Sequence, residues 1–250
     1  LAVWKSLQAA PASLERVPDA FAEGMRRLAL VGDLRMQHLA RRAQQSVEAL
    51  SAAGVQSLLL KGAALGALRD PTFRSRPMTD VDLLVRRSDV AKASEALLGA
   101  GWKVTENKVY LEMLKDAHHL PHFVDPSLPG MRLELHVALM PDDQPFGITE
   151  DSFWASARPA PAPFAGAMVP SPTHLLLHTA VHYAWQHTLV FGGWRTFRAV
   201  QLILELPDLD WDAFVAEAKA TKSATCAYWT LRLAATLCGI SVPPRVLESL

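Results

Sequence analysis

The chain is 250 residues long, half of them hydrophobic and a fifth charged, with 25 basic side chains against 25 acidic ones and a formal net charge of zero. That composition supports a sizeable core, in one large domain or in one domain with a smaller helical companion. The charge balance argues against a broad nucleic-acid-binding surface, and no apolar run approaches the ~18 residues that cross a bilayer.

The opening stretch LAVWKSLQAAP has no charged region followed by a long apolar one, so no secretory signal is expected. Cys226 and Cys238 lack metal-binding spacing and read as buried thiols of a reducing compartment. We therefore expect a soluble, cytoplasmic protein. Residues 13–53 repeat apolar side chains at helical spacing and stop at Gly54, a suitable C-terminal cap. The period then changes. VQSLLLKG is a short apolar run closed by Gly62, AALGALRD a small helix, and DVDLLV the next strand. SDVAKASEALLGAG reads as a helix opened by Ser88 and closed by Gly101, and WKVTE and RLELHVAL as further strands. Alternating strands and helices over about 55–140 predict an α/β unit.

Residues 158–172, rich in Pro and Ala, read as a linker or extended crossing segment. The remainder is helical in pattern, with Asp210 and Asp212 at the start of one helix, where the dipole favours acid. The expected organisation is a helical segment at 1–54, an α/β domain at 55–157, a linker at 158–172 and a helical region at 173–250.

The stretch RSRPMTDVDLLV carries the chemistry. Strand residues i and i+2 share a face, so Asp80 and Asp82 project together while Val81 and Leu83 point away. Two such carboxylates repel unless a cation sits between them, and hard dications such as Mg²⁺ bind through carboxylates and substrate phosphates. Glu134, within RLELHVAL, offers a third carboxylate if its strand lies alongside. His136 shares the face of Glu134 and suits a supporting hydrogen bond. In LLLKGAALGAL, a strand leads through Lys61 and Gly62 into a helix N-terminus, where free N–H groups, the dipole and the lysine charge attract phosphate. The turn is not a Walker A loop.

Together LLLKGAAL, RSRPMTDVDLLV and LELHVAL resemble the nucleotidyltransferase superfamily of the DNA polymerase beta type. More narrowly, they are similar to a bacterial family of largely uncharacterised nucleotidyltransferases with an LKG turn, an R-x-M-x-D-x-D-L-L-V strand and an E-L-H strand. The resemblance implies a mixed α/β (α+β) sheet with helices, flanked by helices at both ends. It implies Mg²⁺, or Mn²⁺ in its place, held by Asp80, Asp82 and Glu134. Lys61 and Gly62 become the phosphate turn, and Arg76 a phosphate-steering or aspartate-bracing residue. The implied reaction moves a nucleoside monophosphate from an NTP such as ATP to an unidentified acceptor, a small molecule or a protein, with release of pyrophosphate. Ala63 follows Gly62 where the superfamily turn usually carries Gly-Ser or Gly-Gly. A catalytically silent nucleotide-binding or interaction module of the same fold is therefore kept as the alternative.

His174, His178 and His182 recur every four residues on one helical face, a spacing that packing histidines share with transition-metal ligands. A metallohydrolase on that stripe is disfavoured by the lack of an H-E-x-x-H helix. His118, His119 and His122 fall on a separate strand or loop. Trp185, Trp194 and Trp229 read as core, and Arg195 and Arg198 as lining a cleft or a helix surface.

Overall fold

The structure, a computed structural model, describes residues 17–104 and 118–250. It opens with helix α1 (Asp19–Ala52), which buries Met36, Leu39, Ala43, Val47 and Leu50 along one face. The helix ends where expected. Gly54 adopts φ +66°, and the Val55 N–H returns to the Leu50 carbonyl at 2.9 Å, satisfying a carbonyl the helix would leave bare. The predicted residues 13–16 and the end of WKVTE lie outside the described residues.

Next come β1 (Ser57–Leu59), α2 (Lys61–Arg69), β2 (Asp80–Val85), α3 (Val90–Gly99), β3 (Lys103–Val104), β4 (Phe123–Val124) and β5 (Arg132–His136). Then follow α4 (Glu150–Ser156), β6 (Arg158–Pro159), β7 (Ala167–Val169) and α5 (Pro172–Val181). The last elements are α6 (Gly193–Leu204), α7 (Trp211–Ala220), α8 (Ala224–Cys238) and α9 (Pro244–Ser249). The seven strands form one mixed sheet in the order β3-β4-β5-β2-β1-β7-β6. At its centre β2 runs antiparallel to β1 and parallel to β5.

Of the six residues of β2, the five from Val81 to Val85 are buried and Asp80 alone is half-buried. Such continuous burial is what a central strand covered on both faces requires. Helix α1 packs on α3 and on β1 and β2, while α2 leans on β1, β2 and β7 and meets α5 and α6. A single buried cluster runs from Met36 to Val246, so the C-terminal helices and the sheet share one core. The Pro/Ala-rich stretch is not a free tether. It supplies β6 and β7, and β7 pairs in parallel with β1. Among the described residues, no helix is long and apolar enough to cross a membrane.

Local details depart from the sequence expectation. Helix α3 starts at Val90, one residue later than a Ser88 cap would set it: Arg87–Asp89 form a 3₁₀ turn, and Ser88 does not cap. Asp210 does cap α7, accepting the N–H groups of Asp212 and Ala213. Cys226 is buried but Cys238 is exposed. Trp185, Trp194 and Trp229 are exposed rather than core, at 46%, 74% and 47% of their surface. Their helical spacing was compatible with either face, and the smaller Ala and Leu residues took the inner one.

Gly66 marks a close approach in α2. A Cβ there would stand 2.3 Å from the Phe73 ring, which is buried and stacked at 5.6 Å on Phe164. Gly-to-Ala in a helix interior ordinarily gains about 1 kcal/mol. Here Gly66→Ala is expected to destabilise by about 1–3 kcal/mol, because the ring cannot retreat. A lower urea midpoint at unchanged slope checks it.

Candidate active site

The site is built by strand register. Parallel pairing sets Asp82 opposite Glu134, Asp80 opposite Arg132 and Leu84 opposite His136. Because strand side chains alternate, Asp80, Asp82, Glu134 and His136 share one face of two neighbouring strands. The antiparallel partner β1 ends beside them: Leu59 pairs with Leu83, and the Leu60 N–H bonds the Asp82 carbonyl at 3.0 Å. Lys61 therefore leaves the sheet next to Asp82. Its backbone takes φ +46°, a left-handed conformation that is costly for a residue with a Cβ, at the first residue of α2.

That conformation accompanies a dense set of polar contacts. Lys61 Nζ donates to Asp82 Oδ1 at 2.7 Å and lies 3.8 Å from Glu134 Oε2. His136 Nε2 sits 3.0 Å from Asp82 Oδ1 and 3.5 Å from Glu134 Oε2. Ionised carboxylates only accept, so Nε2 carries the proton in these contacts. His122 Nε2 approaches the other Glu134 oxygen, Oε1, at 3.2 Å.

The two aspartates, chemically identical in sequence, are electrostatically opposite. Burial pushes the Asp82 carboxyl up, but the Lys61 charge and the His136 hydrogen bond outweigh it and hold the group well below its ordinary value. Asp80 is pushed up by burial and by the charges of Asp82 and Glu134, which Lys61 and Arg76 only partly offset. Burial opposes the Lys61 charge, yet Asp82 and Glu134 together raise its pKa. The lysine ammonium thus acts as the cation that the Asp82 and Glu134 carboxylates demand, while Asp80, on the same face, falls outside the groups close enough to share one ion.

Lys61, Gly62, Arg76, Asp80, Asp82 and Glu134 all line one cleft of about 180 Å³, so it gathers six of the seven residues that the three motifs assigned to the transfer site. The exception, His136, is buried behind them. Gly62 is closely packed: a Cβ on it would meet the Arg76 guanidinium at 2.4 Å and Met78 Sδ at 2.6 Å. Bulk added there acts first on Arg76, whose Nε donates to the Arg195 carbonyl at 3.3 Å. Arg76 is presented by a turn that Asp70 ties down, its carboxylate accepting the backbone N–H of Thr72 and Ser75.

The far wall comes from the C-terminal helices: His182, His187, Gly192, Arg195 and Thr196. His187, Gly192 and Thr196 were missed. A π-helical turn at His182–Gln186 swings the chain after α5, and nothing in HYAWQH announces that wider turn. Arg198 instead bonds the Ser75 carbonyl and Gln201. The histidine stripe is divided: His174 meets the Ser171 hydroxyl, and His178 packs edge-on against Phe153, its pKa pushed down to about 3 by burial. Only His182 reaches the cleft. Among the described residues, the two groups close enough to share a metal ion are Asp82, Glu134, His136 and His119, His122, Glu134. A larger cleft of about 380 Å³ lies at the other end of β2, around Arg86 and Trp154. Its Glu150 is already committed to the Leu139 N–H, and among the described residues Asp142, Glu150 and Asp151, which line it, do not form a group close enough to share an ion.

The sequence model of a family described as uncharacterised nucleotidyltransferase matches residues 2–239. The chain belongs to that nucleotidyltransferase family. No curated protein matches it in sequence. Among solved structures, the solution structure of the antibiotic-resistance factor ANT(2'')-Ia is similar in fold, with a TM-score of 0.53 and 13% identity over 80% of this chain and 98% of that one. The family and the mixed α/β fold are nucleotidyltransferase-like, as the three motifs implied.

Removing the ammonium tests the electrostatics. The Lys61 and Asp82 side chains are 18% and 4% exposed, and deleting one partner of such a pair costs about 3–5 kcal/mol. Lys61→Met is expected to lower the stability of the metal-free chain by that order, and added Mg²⁺ to recover part of it. The depressed Asp82 carboxyl contributes stability that is present above its ordinary value and is lost as pH falls through its folded value. In Lys61→Met that acid loss should begin at higher pH. Urea unfolding in chelator at several pH values, with and without Mg²⁺, measures both.

Proposed function

We propose that this family member is a Mg²⁺-dependent nucleotidyltransferase that moves a nucleoside monophosphate from an NTP to an acceptor hydroxyl and releases pyrophosphate. The observation that carries the reading is the register of β2 on β5, which sets Asp82 beside Glu134 in the same cleft as the Lys61–Gly62 turn. The donor set fits a hard dication: carboxylate oxygens on one face, already drawing a cationic nitrogen into their midst. Asp80, Asp82 and Glu134 would hold the metal. When bound, Mg²⁺, or Mn²⁺ in its place, supplies Lewis-acid stabilisation of charge on the phosphate oxygens and the acceptor.

The chain's own residues do the rest. Lys61, whose ammonium stands at Asp82 on the wall of the same cleft, would turn it to the leaving phosphates. Arg76, Arg195 and the N-terminus of α2 add positive potential along the same wall. The acceptor oxygen bonds the α-phosphorus as the α–β bridging bond breaks, and the electron pair leaves on pyrophosphate. Glu134 takes the hydroxyl proton. His136 keeps the Asp82 and Glu134 carboxylates oriented throughout. The cleft walls, with His182 and His187 opposite the acids, help exclude water from the reacting centre.

The test is Mg²⁺-dependent NTP binding by calorimetry, followed by pyrophosphate release with candidate hydroxyl acceptors. Asp80→Asn with Asp82→Asn should weaken Mg²⁺-dependent binding about 100-fold or more, in line with the ~2–5 kcal/mol lost when a buried charge pair is truncated. His174→Gln, remote from the cleft, should stay within about twofold, since surface-type changes rarely exceed ~0.5 kcal/mol. Equal losses in both variants, or binding that ignores Mg²⁺, would refute the reading.

A further inference from the structure

The Glu134 carboxylate faces two ways. Its Oε2 turns to Lys61 and His136, while Oε1 turns to His122, on the side away from the lysine. Beside His122 lies His119, their rings stacked at 5.7 Å and 15° apart. One ligand atom from each of His119, His122 and Glu134 falls within 4.8 Å of the other two.

The histidine loop is held ready. His119 bridges to His136 on β5, the Leu120 N–H bonds the Leu135 carbonyl at 2.9 Å, and the Val137 N–H bonds the His118 carbonyl at 2.9 Å. The segment just before β4 is thus clipped to the strand that carries Glu134. His119 Nδ1 lies 2.8 Å from the Leu120 carbonyl, which can only accept. Nδ1 therefore carries the proton and Nε2 keeps its lone pair. A backbone carbonyl fixing the tautomer of one ring nitrogen is the support that metal-binding imidazoles use. His122 and Glu134 side chains are 33% and 16% exposed, so an ion there could be reached from solvent and would keep open positions.

We propose that His119, His122 and Glu134 form a second metal site, for a borderline transition-metal dication of the Zn²⁺ or Co²⁺ type. Two imidazoles and one carboxylate suit such ions, whereas Mg²⁺ prefers an all-oxygen shell. The site borrows Glu134 from the proposed transfer cleft, making that carboxylate a bridge between two cation positions. It does not depend on nucleotidyl transfer.

The experiment is a Co²⁺ titration of the full, untagged chain, stripped with chelator and held in excess Mg²⁺, read by visible absorption and repeated with Zn²⁺ by calorimetry. One equivalent of Co²⁺ should bind with a visible absorption band that Mg²⁺ does not displace. His119→Gln and His122→Gln should each weaken it at least about tenfold, the lower end of the cost of losing even a supporting partner of a metal ligand. Thermal unfolding in chelator checks that each variant folds. Should His119→Gln fail to fold, the partly exposed His122 decides alone. Asp80→Asn, which should impair Mg²⁺-dependent NTP binding, should keep the Co²⁺ band, so the failure of one proposal is distinguishable from the failure of the other. Overturning results are the absence of Mg²⁺-resistant Co²⁺ binding, unchanged affinity in folded His122→Gln, or loss of the band in Asp80→Asn alone.

Discussion

Three carboxylates on one face of two neighbouring strands, Asp82 and Glu134 close together and Asp80 beside them, are an electrostatic demand that the rest of the fold answers. Isolated, Asp80, Asp82 and Glu134 would repel one another in a place where little water can screen them. Lys61 answers from the end of β1, at 2.7 Å from Asp82 and 3.8 Å from Glu134. Its position follows from the sheet: β1 must lie antiparallel to β2 and stop at Leu59 for the next side chain but one to arrive there. The left-handed backbone at Lys61 is the local cost of that arrival. It is set against the cost of leaving buried carboxylates without a partner, which is larger.

Gly62 and Arg76 show how the same constraint reaches outward. Because Gly62 lacks a Cβ, the Arg76 guanidinium and Met78 sulfur close over α2 where a side chain would otherwise stand. That brings a second cation to the wall of the cleft without seating it on the aspartates. Burial weighs against the Arg76 charge, and Arg195 nearby adds to the opposition, while Asp80 favours it. The cleft is therefore organised as acids along the strand face and cations along the α2 and α6 side, with the glycine as the spacer that lets them meet.

What could be read in the sequence is what depends on local period and short spacing. D-x-D on a strand, the glutamate and histidine two apart on another, and Gly54 closing a long helix all follow from rules with a reach of a few residues. Strand neighbours do not. That β2 lies between β5 and β1, and that the Pro/Ala-rich stretch adds β7 to the far side of β1, is decided by burial across the whole sheet. The tryptophans illustrate the limit: Trp102 is buried while Trp194 is exposed, and hydrophobicity alone does not tell them apart. The histidines do so again. His187 comes to the cleft through a π-helical turn, and His119 reaches Glu134 through a bridge to β5, both long-range outcomes without a local signature.

Asp80 and Asp82 carry the argument one step further. Asp82 is satisfied by Lys61 and His136, so its charge is stabilised before any ligand arrives. Asp80 is not: burial and two like charges push its pKa up, and ionisation there is opposed by its surroundings. If this face holds a cation as proposed, linkage gives the two residues different parts in binding it. On the proposed reading, a dication on this face would gain little new from Asp82, where the lysine already stands, and would relieve most at Asp80. Displacing the ammonium would cost the 2.7 Å contact, and the freed charge would stand in the cleft that Gly62 and Arg76 also line. Anionic phosphate in that cleft would compensate the displaced lysine. Metal and phosphate would therefore favour each other's binding, each supplying the counter-charge that the other leaves wanting.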